Sequence, residues 1–123
     1  MKISAVIVSR NDGYGGHLNE RATYCFNSAI DTYDEVIYVD WNSEKRSALY
    51  EIKDQLPKTE KLKHFVIDPS IAKILTNNNP KVSACCGVLA LNLALRRTDA
   101  EYVVMTAVDI LPPSKKLLDN FIK

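Results

Sequence analysis

Three aspartates stand where short apolar runs end. Asp40 follows Val36-Ile37-Tyr38-Val39, Asp68 follows Phe65-Val66-Ile67, and Asp109 lies just beyond Tyr102-Val103-Val104-Met105. A fourth run, Ile3 to Ser9, passes into Arg10-Asn11-Asp12 and then Gly13-Tyr14-Gly15-Gly16. Carboxylates without histidine or cysteine neighbours are hard oxygen ligands, suited to Mg²⁺ or Mn²⁺ shared with a substrate diphosphate. Each aspartate also has a plain structural use. Asp109 is placed to cap the helix that Pro112 and Ser114 introduce, and Asp40 to accept hydrogen bonds from loop amides. For Asp40 and Asp109 the sequence leaves both readings open.

Other chemistries find little support. The glycine loop is neither Gly-x-Gly-x-x-Gly nor Gly-x-x-x-x-Gly-Lys-Ser/Thr, and no serine sits in a Gly-x-Ser-x-Gly elbow. His17 and His64 are the two histidines, the first reading as a solvated loop residue and the second as a structural residue inside a strand. Cys25, Cys85 and Cys86 are odd in number with two adjacent, which suits reduced buried thiols in a cytoplasmic protein better than a disulfide or zinc framework. Sixteen basic against 15 acidic residues give no electrostatic reason to expect nucleic acid or an anionic membrane. The longest apolar run, Ala84 to Leu91, is far short of the roughly 20 residues that span a bilayer. Nothing after Lys2 reads as a signal peptide, so the sequence predicts a soluble intracellular chain.

These residues need elements to hold them. Ile3–Ser9, Glu35–Trp41, Leu62–Asp68 and Glu101–Thr106 read as β-strands. Between them run helical patterns: Leu18, Ala22, Cys25, Phe26, Ala29 and Ile30; then Leu49, Ile52 and Leu56, capped by Asn42 or Ser43; then a short helix from Pro69 to Leu75. Val82 to Arg97 is apolar almost all round, which predicts a deeply buried helix, and Leu117, Leu118 and Phe121 mark a closing one. The alternation predicts one α/β domain over residues 1–123, a mainly parallel sheet of four strands with helices on both faces. Ligands of such sheets bind beyond the carboxyl ends of the strands, which selects Ser9 to Asp12, Asp40 to Asn42, Asp68-Pro69 and Asp109-Ile110.

Val6 to Asp12, Glu35 to Ser43, Asn92 within Leu89 to Arg97, and Glu101 to Ile110, taken in order, resemble the motifs of GT-A fold glycosyltransferases, closest to the family 2-like group. The likeness runs from Ile3 to Phe121 and implies a Rossmann-like, nucleotide-sugar-binding half. By that resemblance Ser9, Arg10, Asn11 and Asp12 line the base and ribose, and Asp40 accepts hydrogen bonds from the nucleotide. Trp41 either stacks on base or sugar or covers the sheet edge, and Asn92 meets the donor or a backbone group. Asp109 matches the last aspartate of the Asp-x-Asp motif that holds Mn²⁺ or Mg²⁺ against the diphosphate leaving group. The first carboxylate position of that motif is Ala107 here.

The resemblance implies transfer of a sugar from a UDP- or GDP-linked donor to an acceptor the sequence does not name. GT-A enzymes usually run to about twice this length, within the range of large α/β domains. Their later half carries the acceptor site and the general base, so no residue is assigned as base. The expectation for that half is that it is absent, reduced, or supplied by a partner chain or a second copy. Two other functions are compatible with the same residues: a non-catalytic module that binds a nucleotide or a protein, and a sugar nucleotidyltransferase. The latter needs more cations beside its glycine loop than Arg10.

Overall fold

The computed structural model describes residues 1–83 and 87–123. The chain folds in the order β1 (Ile3–Ser9), α1 (Leu18–Thr32), β2 (Glu35–Trp41), α2 (Ala48–Ile52), β3 (Leu62–Ile67), α3 (Pro69–Leu75), α4 (Pro80–Ser83), α5 (Gly87–Leu95), β4 (Tyr102–Ala107) and α6 (Lys115–Ile122). A single 3₁₀ turn, Lys53–Gln55, extends α2.

The four strands form one sheet in the order β3-β2-β1-β4, and every neighbouring pair is parallel. Val6 sits in the middle, paired with Ile37 on one side and Met105 on the other. The interior strands β1 and β2 carry Val and Ile through their centres and are almost wholly buried, as strands covered on both faces are. The outer strands β3 and β4 keep much of their surface open; β3 carries Lys63 and His64, whereas β4 is as apolar as the interior strands.

Helices cover both faces. Ala22, Cys25, Phe26 and Ala29 of α1, with Leu49 and Ile52 of α2 and Leu118 of α6, pack on Ala5, Ile7, Val36 and Tyr38. On the opposite face Ala72 of α3 and Ala90 and Ala94 of α5 pack on Val6, Ile37, Val39 and Trp41. Each fully buried Val, Ile or Phe contributes about 1.5–3 kcal/mol of transfer free energy.

Two expectations are corrected. The helix read as deeply buried along Val82 to Arg97 is α5 over its described part, and it buries one stripe only: Val88 is 78% exposed, and Asn92 and Leu95 are exposed too. An apolar helix lying on a four-stranded sheet has one face to bury, whatever its other residues are. Val82 and Ser83, the first residues of that pattern, end the separate helix α4, and residues 84–86, with Cys85 and Cys86, lie outside the described residues. The cap of α2 is neither Asn42 nor Ser43 but Ser47, whose hydroxyl accepts from the Tyr50 amide at 3.2 Å. Among the described residues no helix is long and apolar enough to cross a membrane.

Candidate functional site: the crevice between β1 and β4

From β1 the chain moves outward to β2 and β3, then returns past β1 to lay β4 on its other side. β1 therefore stands at the switch point of the strand order, and a crevice opens at its carboxyl end, between the ends of β2 and β4. Arg10, directly after β1, lines three hollows there. One of about 430 Å³ lies against Asn11, Asp12, Gly13, Glu44, Lys45 and Glu51. A second of about 190 Å³ is largely apolar, walled by Val8, Trp41, Gly87 and Leu91. The third, about 450 Å³, is bounded by Asp12, Tyr14, Leu18, Arg21, Val108 and Asp109.

The glycine loop shapes the third hollow. Gly13, Gly15 and Gly16 have φ of 72°, 75° and 67°, in the left-handed region where a Cβ is unfavourable. Asp12 starts the turn by accepting from the Tyr14 amide at 3.0 Å, and the Gly16 amide closes on the Gly13 carbonyl at 3.0 Å. Arg21, in the first turn of α1, then holds the loop from behind. Its Nε donates to the Gly16 carbonyl at 3.0 Å and its Nη2 to the Tyr14 carbonyl at 2.6 Å. Its Nη1 donates to Asp109 Oδ2 at 3.0 Å, tying the loop to the end of β4.

A polar network ties together the carboxyl ends of β1 and β2. Asp40 is 1% exposed. Its Oδ1 accepts from the Ser43 hydroxyl at 2.8 Å and from the Tyr38 hydroxyl at 3.2 Å, and the Tyr38 oxygen is 2.7 Å from Ser9 Oγ. Ser43 also accepts from the Asn11 amide at 2.8 Å, while Arg10 Nε donates to the Asn42 carbonyl at 2.8 Å. Asp40 Oδ2 is buried and has no hydrogen-bond partner. Burial pushes the Asp40 carboxyl above its ordinary range, against the hydroxyls of Ser43 and Tyr38 and the nearby Arg10 charge, which favour the ionised form. Burial likewise pushes the Tyr38 hydroxyl up, helped by the charge of Asp40.

The residues expected at the site separate into groups. Ser9, Arg10, Asn11, Asp12 and Asp40 converge at the carboxyl edge through the bonds above. Trp41 is 2% exposed, belongs to the core on the α3–α5 face, and presents part of its surface to the apolar hollow. Asn92 stands on the exposed side of α5, where its Oδ1 accepts from Arg96 Nε at 3.4 Å, and it does not line the crevice. Asp68 is a helix cap, its Oδ1 accepting from the amides of Ser70 and Ile71 at 2.8 and 3.1 Å. The capping alternative for Asp109 falls away, since Ser114 caps α6 with an acceptor bond from the Leu117 amide at 3.3 Å.

Arg21 is the residue the sequence reading missed. One signal marks it: it is the single basic residue of α1 and sits in the first turn, where the helix dipole disfavours a cation. Beneath the β4 turn, the buried Cys25 thiol faces the carbonyls of Ala107 and Ile110 at 3.3 and 3.4 Å. Burial pushes this thiol up to about 11, so it stays a neutral packing group.

The donor set does not fit a resident divalent cation. Ala107 offers no ligand where the resemblance expects the first carboxylate, and Asp109 is already paired with Arg21. Among the described residues no three His, Cys, Asp or Glu side chains come together as a metal site.

No protein-family model matches the chain, and no curated protein matches it either. The solved structure of S. aureus TarS 1-349, a glycosyltransferase, superposes on 99% of this chain with a TM-score of 0.59 at 19% sequence identity. This chain spans 31% of the length of that structure. The likeness shows the fold alone: a four-stranded, all-parallel α/β sheet of Rossmann-like arrangement.

Proposed function

We propose that the crevice at the carboxyl end of β1, flanked by the ends of β2 and β4, binds a nucleotide-diphosphate sugar and that the chain serves glycosyl transfer from it. The observation that carries this reading is the buried Asp40 Oδ2, an acceptor without a hydrogen-bond partner among the described residues, close behind Arg10, which lines all three hollows at the carboxyl edge of the parallel sheet. A buried carboxylate oxygen left without a donor costs stability, and a ligand N–H or hydroxyl relieves that cost on binding. Asp40 is then the acceptor for the base or ribose, and Ser9, Arg10, Asn11 and Asp12 form its surround. Trp41 supports this wall from the core. The fold shared with TarS agrees with the same assignment.

Calorimetric titration with UDP-, GDP- and CMP-linked sugars, each in Mn²⁺ and in EDTA, tests the reading. Micromolar to low-millimolar binding of one class, lost by more than tenfold in Asp40→Ala, is expected. Absence of binding to all of them would overturn it. Ala107 and the Arg21-engaged Asp109 favour a second reading, a nucleotide-binding module that turns nothing over. Release of free sugar from a bound donor separates the two.

A further inference from the structure

We infer that Arg21 is itself a diphosphate-binding residue, held in reserve by Asp109, and that Asp109 opposes cation-free binding of a diphosphate instead of assisting it. This rests on the reading of the crevice as a diphosphate site, and it assigns a role to a residue outside the strand-end motifs.

Three observations lead there. Arg21 lines the 450 Å³ hollow together with Arg10, which also pairs with Glu44 at 3.7 Å, so two cationic side chains border one space large enough for a diphosphate. Three of its five N–H groups hold Gly16, Tyr14 and Asp109, which leaves one on each terminal nitrogen. That pair is the fork that binds two oxygens of a phosphate at once. Asp109, its partner at 3.0 Å, is half-exposed, so the pair is held only as firmly as a surface ion pair. A diphosphate in the hollow competes with Asp109 for Arg21 and meets repulsion from the Asp109 carboxylate.

The hollow's own charges balance, with Arg10 and Arg21 against Asp12 and Asp109. A diphosphate therefore enters neutral ground, and removing Asp109 leaves a net positive site. A metal ligand behaves in the opposite way: its removal weakens diphosphate binding. Substitution at Asp109 thus has opposite signs under the two roles.

The experiment measures binding of inorganic pyrophosphate and of UDP to the full chain in EDTA and in Mn²⁺. The inference expects binding in EDTA that Asp109→Asn tightens by about three- to tenfold, from the lost ion pair and the lost repulsion. Arg21→Gln is expected to weaken it by about tenfold or more, and Arg21→Lys, which keeps the charge but not the fork, to weaken it by less, about three- to fivefold. A purely structural loop clamp predicts that Lys fails like Gln and that Asp109→Asn tightens nothing; either result overturns the inference. Binding that requires Mn²⁺ and is lost in Asp109→Asn also overturns it, while leaving the nucleotide-sugar reading intact. Pyrophosphate binding through Arg21 without binding of any sugar nucleotide has the reverse effect: the inference stands and the nucleotide-sugar reading falls.

Discussion

Glu35 and Asp40 begin and nearly end the same strand, both buried, and their carboxyls shift in opposite directions. Burial works against the ionised Glu35, but hydrogen bonds from Lys63 Nζ and Thr98 Oγ1, each at 2.5 Å, outweigh it and hold the group below its ordinary value. Asp40 receives two hydroxyls on one oxygen, and burial prevails. The signs follow. Glu35 contributes stability above pH 4.5, its unfolded value, and that contribution is lost as pH falls through its lowered folded value. Asp40 carries a cost above its raised folded value that is relieved as pH falls through that value toward 3.8.

Urea unfolding should show Glu35→Gln about 1–3 kcal/mol less stable than the parent at pH 7, with the gap closing below pH 4.5. Asp40→Asn should leave stability at pH 7 unchanged or up to about 1 kcal/mol higher while lowering affinity for the nucleotide sugar. The strand-end rule made Asp40 and Arg10-Asn11-Asp12 legible from sequence, because position on a parallel sheet fixes where such residues meet. It said nothing of Arg21, whose role comes from a side chain reaching back over a loop.

Among the elements, the loop between β1 and α1 is the most exacting. Gly15 has φ of 75°, and a Cβ there would stand 3.2 Å from Arg21 Nη2. Gly15→Ala should therefore cost about 1 kcal/mol of stability and move the guanidinium as well. Pyrophosphate affinity is expected to fall with it, whereas Gly13→Ala, with no atom near its Cβ, should show the backbone cost alone. Strand and helix identities were readable from periodicity, and the stripe Leu18, Ala22, Cys25, Phe26, Ala29 and Ile30 is buried as spaced. Caps were less readable. Ser43 and Ser47 both suit the start of α2, and only the fold shows that Ser43 is taken by Asp40 and Asn11. The exposed side of α5 was hidden for a related reason: composition reports what a helix could bury, not how many surfaces lie against it.

Across the whole molecule, the sheet divides the core into two layers, with Phe26, Tyr33 and Tyr38 on the α1 face and Trp41 on the other. Phe26 meets Tyr38 edge-on at 5.0 Å, and Tyr38 stacks on His64 at 5.0 Å, where burial lowers the imidazole's proton affinity. Phe26→Ala should cost about 3–5 kcal/mol in chemical denaturation, since it opens a cavity under β1 and β2 together.

The position of β4 beside β1 also sets a timetable. Ser4 meets Glu35 across a loop that holds only α1, but Ile3 meets Tyr102 only after nearly all of the chain has been drawn in. The longer closure costs about 1 kcal/mol more in chain entropy, so β1 and β2 pair early and β4 joins late. Arg10 and Asp40 stand in the half that forms first, whereas Asp109 reaches Arg21 only when β4 docks. Amides of Tyr102–Ala107 should gain protection in pulse-labelled refolding after those of Glu35–Trp41, and the competence to bind a ligand should appear with that last phase.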